Sequence, residues 1–183
     1  MDNRNFVLSA ELNSQFLNTQ ALIPAYDKNN NGIIFGLLIE AVPGKAFNVS
    51  AHGCVAIGLK KMLGRVVSVM TSLESSWKIL DGYSYNLVSL SGQFRVMDAR
   101  SAGLPLCIAL INIVRVLNGL QQVQHLTGTG ILRIDGTFEK SHLEEEKKQA
   151  SSQLMENRFI NSQVCKHVFD LANLMNDQKK GES

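Results

Sequence analysis

From Leu104 to Leu117 the chain is apolar on nearly every side, through Leu104, Leu106, Ile108, Leu110, Ile111, Ile113, Val114 and Leu117. A surface helix carries one apolar stripe, whereas a helix apolar all round has to be buried all round. Spanning a bilayer takes about 20 apolar residues, and this run is shorter and contains Asn112 and Arg115. It therefore predicts a central helix over Leu104–Leu117 that the rest of the chain wraps. Pro105 falls in its first turn, where the missing N–H costs little. Asn118-Gly119 is the usual ending.

The remaining material suffices to wrap it. The chain has 183 residues, 45% of them apolar and 19% charged, which fits one domain with a sizeable core. A net charge of +2, one Trp and three Tyr give no basic stripe with stacking faces, so no nucleic-acid partner is expected. The polar start Met1–Asn5 predicts no secretory signal, and with no membrane-length run the expectation is a cytoplasmic protein without membrane insertion. Cys54, Cys107 and Cys165 are isolated and read as small core residues in a reducing compartment.

Around the central helix, strand and helix signals alternate. Ile33–Val42 reads as a buried strand, and Ala46–Ser50 as a short returning one after Pro43-Gly44-Lys45. From Gly53 the spacing of Val55, Leu59, Met62, Leu63, Val66, Val67 and Met70 is helical. Tyr83–Val96 supports one or two strands around Gly92, and Thr127–Ile134 a short strand segment. His142–Gln153 reads as a polar helix and Ser162–Met175 as a second, amphipathic one. Phe6–Leu17 gives no secure assignment, and residues 176–183 look like a solvated tail. The expectation is one α/β or α+β domain.

Most polar motifs have plain readings. Asp27-x-Asn29-x-Asn31-Gly32 opens like a calcium loop, but its twelfth position is Leu38, so an Asn-rich turn is expected. His52, His125, His142 and His167 lack metal-ligand spacing, and no phosphate loop occurs, so neither metal nor cofactor is expected. The run His142-Leu143-Glu144-Glu145-Glu146-Lys147-Lys148 reads as a solvated helix face. Ser101 stands apart: in Asp98-Ala99-Arg100-Ser101-Ala102-Gly103 it precedes the central helix, as an ordinary cap or as a nucleophile beside the unpaired first N–H groups.

Asp98-Ala99-Arg100-Ser101-Ala102-Gly103, the helix after it, Leu126-Thr127-Gly128 with Leu132-Arg133, and Phe35–Gly44 ending in Ala41-Val42-Pro43-Gly44-Lys45 occur in an order that resembles the proteolytic domain of Lon-type Ser/Lys peptidases over about residues 33–150. The resemblance implies an α+β domain with a mixed sheet and packed helices over 33–175, with 1–32 as an N-terminal segment of the same domain. It implies Ser101 as nucleophile. By position the lysine is Lys147, 46 residues on, with Lys140 the weaker alternative. Asp98, Ala102, Gly103 and Thr127 are the implied supporting residues. The implied chemistry is a neutral, desolvated lysine taking the serine proton, with backbone N–H groups holding the oxyanion.

The chain also departs from the pattern. Ala99-Arg100 replaces Gly-Pro before the serine, and Glu139-Lys140-Ser141-His142-Leu143 stands where the family has a glycine pair ahead of its lysine helix. Glutamates 144–146 would favour a charged lysine. These departures, and the lack of an ATPase-like region, lead to the expectation of a mostly non-catalytic, protein-binding adaptor or accessory subunit of a larger complex, such as one in secretion or protein quality control, in an oligomer or heteromeric assembly. The alternative is an active peptidase acting on a client polypeptide through Ser101 and Lys147.

Overall fold

The computed structural model describes residues 16–27, 29–44, 47–52, 57–90, 99–153 and 158–177. The fold is α+β. Its main sheet is mixed, in the order β1-β2-β4-β3, where β1 is Leu17–Tyr26, β2 Gly32–Pro43, β3 Asn48–His52 and β4 Tyr83–Ser89. β1, β2 and β4 run antiparallel, with Leu17 opposite Ala41 and Ile39 opposite Leu87, and β3 joins β4 in parallel. The β1–β2 turn forms because the Asp27 carboxylate accepts the N–H groups of Asn29 (2.8 Å) and Asn31 (2.9 Å). The carboxylate that suggested a calcium loop is used in the turn itself.

One face of the sheet is sealed by Ile23, Phe35, Leu37, Ile39, Tyr85 and Leu87, all at 1% exposure or less. Two helices pack there, α1 (Ile57–Leu73) and α2 (Gly103–Leu117). Every residue of α2 except Val116 is buried, and 83% of the apolar stretch Arg100–Leu117 lies inside the protein. Gly119, at a φ of +72°, ends the helix where the sequence placed the stop.

Several boundaries move. β1 carries no assignment beyond Leu17 in the sequence reading, yet Leu17, Thr19, Ala21 and Ile23 alternate inward along it. The segment expected over Thr127–Ile134 breaks at Gly130 into β5 (Leu126–Thr129) and β6 (Ile131–Leu132), with Ile134 in an exposed turn. β7 is Phe138–Glu139, paired with β6, and the short strand β8, Arg158–Asn161, pairs in parallel with β5.

The helix expected over His142–Gln153 is α3, Glu144–Ser152. The one expected over Ser162–Met175 is a turn followed by α4, Val168–Asp177. Asp170 starts α4 late by accepting the N–H groups of Lys166 and His167, and Val164 is left exposed rather than on the core face. The strand predicted across Gly92 and the helix start at Gly53 fall partly on residues outside those described, as do Cys54, Lys45 and Asp98.

Candidate active site

Ser101 does not cap α2. It sits inside a 3-10 turn, Arg100–Ala102, closed by Ala102 N–H to Ala99 O at 3.0 Å and by Gly103 N–H to Arg100 O. The cap position of α2 falls on Ala102, which has no side chain to offer. The turn is fixed from behind by Gly130, whose N–H donates to Ser101 O and whose carbonyl accepts Leu104 N–H, both at 3.2 Å. A Cβ on Gly103 would come within 2.8 Å of the Leu132 Cβ, so glycine is what lets the turn lie against β6. Gly103 therefore lies hard against β6, and Ala102 is buried next to it in the chain.

With no capping bond to make, the Ser101 hydroxyl meets Lys147. Lys147 Nζ lies 3.1 Å from Ser101 Oγ, and the lysine is 1% exposed. This corrects the reading of residues 142–148 as a solvated face: on α3, Glu144, Lys147, Ala150 and Ser151 point inward at helical spacing. The helix is pressed onto the β1–β2 hairpin, where a Cβ on Gly32 would run into the Glu146 carbonyl. The charge run is solvated on one side only: Glu145, Lys148, Gln149 and Ser152 are exposed while the face carrying Lys147 is covered.

Aromatic and hydroxyl groups and the buried Glu144 are found around the lysine. The Tyr26 ring lies 5.5 Å from Nζ and meets the His142 ring edge-on. Ser141 Oγ lies 3.5 Å from Nζ, and Thr129 Oγ1 donates to Ser141 Oγ at 2.9 Å. Glu144 accepts from Asn161 Nδ2 at 2.6 Å, and Glu145 is exposed. The chain turns from Ser141 into α3 at Leu143, whose φ of +50° is costly for a branched side chain.

Other expectations are corrected or displaced. Thr127 is fully buried, but its hydroxyl donates to Leu22 O at 2.9 Å, tying β5 to β1 rather than serving the lysine. Lys140 is exposed. Cys107 and Cys165 are buried, and burial pushes both thiols above their ordinary range, which keeps them inert. Sequence reasoning missed Thr129 and Ser141. Their one signal was a hydroxyl two residues after Thr127 and a serine six residues before Lys147, too common to stand out.

No model of a known protein family and no curated protein matches the chain.

Proposed function

We propose that the chain is a Ser/Lys peptidase of Lon-like architecture, with Ser101 as nucleophile and Lys147 as general base. The observation that carries this is the 3.1 Å contact between a serine hydroxyl that caps nothing and a buried lysine amine. A charged ammonium is expensive to bury, and burial favours the neutral amine that a general base has to be. A lysine buried only for packing would be an odd choice where Met or Leu costs nothing.

The chemistry follows. Ser101 Oγ attacks the carbonyl carbon of a peptide bond while its proton passes to Lys147 Nζ. The Ser101 N–H takes no part in the two bonds that close its turn, and it is the donor assigned to the developing oxyanion. The resulting ammonium gives its proton to the departing amine, leaving an ester on Ser101. Water then attacks the ester, passes a proton to Lys147, and the serine hydroxyl is restored. Metal and cofactor have no part in this scheme.

The adaptor expectation rests on the missing ATPase-like region and on the departures around the serine and the lysine; the burial of Lys147 against Ser101 favours the peptidase over it. The substrate class we propose is an unfolded or extended polypeptide, since the nucleophile has to reach a main-chain carbonyl. The test is cleavage of β-casein, an unstructured protein, by the chain and by Ser101→Ala. Fragments from the wild type alone support the proposal. Absence of cleavage by the wild type, or equal cleavage by Ser101→Ala, refutes it.

A further inference from the structure

A base has to do more than sit near its proton; its lone pair has to point at it. Lysine carries a freely turning amine on a long flexible stem, so proximity to Ser101 alone leaves the direction of the lone pair open. Two further buried hydroxyls stand near that amine. Ser141, 4% exposed, lies 3.5 Å from Nζ, and Thr129, 0% exposed, donates to Ser141 Oγ at 2.9 Å. The Ser141–Nζ distance is at the long end of hydrogen-bond reach, as is common before substrate binds.

We infer that Ser141, held in place by Thr129, is a positioning residue that takes an N–H of the Lys147 amine and thereby turns its lone pair toward Ser101 Oγ. The role rests on the peptidase reading. Thr129 is anchored in β5, opposite Asn161 of β8, so the acceptor side of the amine is referenced to the strands rather than to α3. Ser141 and Lys147 are joined by only six residues of chain, bent through the left-handed Leu143. That strained bend keeps both side chains on the same pocket. Thr127, the supporting residue expected from sequence, is occupied by Leu22 O and leaves this place to Ser141.

The probe is a β-lactone, whose strained ring Ser101 Oγ opens to give an ester, the ring oxygen taking the proton that Lys147 removed from the serine. Acylation of the intact chain is followed by mass as a function of pH and lactone concentration. Ser141→Ala is expected to slow acylation at saturation by about 10- to 100-fold, leaving the half-saturating concentration unchanged. It should also move the rising limb of the pH profile to lower pH, because an acceptor oxygen stabilises the ammonium more than the amine. Ser141→Thr and Thr129→Ser should restore rate and limb, and Thr129→Val should shift both in the same direction as Ser141→Ala. Simple loosening of the fold would lower the rate without moving the limb. Wild-type rate and limb in Ser141→Ala overturn the inference. Should that variant fail to fold by circular dichroism, an unmoved limb in Thr129→Val overturns it equally. A wild type that takes no acyl group on Ser101 overturns the peptidase reading itself, a different result.

Discussion

Substituting Lys147 by Met removes the amine and keeps an unbranched side chain in a position 1% exposed. Two effects on stability oppose each other. The bonds from Nζ to Ser101 Oγ and Ser141 Oγ are lost, each worth about 1 kcal/mol net. Against that, the penalty for burying an amine that can ionise, several kcal/mol in a protein interior, is also removed. The second effect is larger, so Lys147→Met is expected to stabilise the fold by about 1–3 kcal/mol. For a chain of this length that raises Tm by about 3–9 °C. Chemistry moves the other way: loss of the general base lowers β-lactone acylation of Ser101 by about 10²- to 10⁴-fold. Thermal unfolding followed by circular dichroism reads the first quantity and intact mass the second. A Tm that falls by several degrees while acylation persists would refute the reasoning, because the lysine would then be a structural tie rather than a base held at the expense of stability.

Thr127→Val removes the hydroxyl that Leu22 O accepts; it should lower stability in urea by about 1–3 kcal/mol and leave Ser101 acylation unchanged. Gly103→Ala drives a methyl into Leu132; unfolding measurements should show a loss of about 1–3 kcal/mol, and acylation should slow because the Ser101 turn is pushed off β6. Burial raises the Tyr83 and Tyr85 phenols above their ordinary 10. The unfolded chain then binds fewer protons than the folded one above pH 10, so stability falls as pH rises through that value. Urea midpoints at pH 8 and pH 11 should show this decline. Tyr85→Phe should make it shallower, while costing about 1 kcal/mol at pH 8 through the loss of the 2.8 Å bond to Leu80 O.

The parts of the fold that one-dimensional patterns encode strongly were legible. The run from Leu104 to Leu117 could only be a central helix, and it is. Ile33–Val42 became β2 with one residue added at each end. β1 was not legible because its inward positions include Thr19 and Ala21, and Asn18, Gln20 and Pro24 interrupt any apolar signal; pairing with β2 overrides that weak local preference. At the site, the position of Ser101 and the spacing to Lys147 were readable. The burial of Lys147 was not, since nothing in Glu144-Glu145-Glu146-Lys147-Lys148 tells which turn of the helix the hairpin covers. Nor could sequence show that Ser101 declines to cap α2, which depends on the 3-10 turn that Gly130 and Leu132 impose from another part of the chain.

The central claim is that Ser101 and Lys147 form a working pair. It is tested most directly by treating the wild type, Ser101→Ala and Lys147→Met with the same β-lactone and mapping any adduct by peptide mass. The account predicts one acyl group on Ser101 of the wild type and essentially none in either variant over the same time. A wild type left unmodified, or a Lys147→Met chain acylated on Ser101 at the wild-type rate, would contradict it.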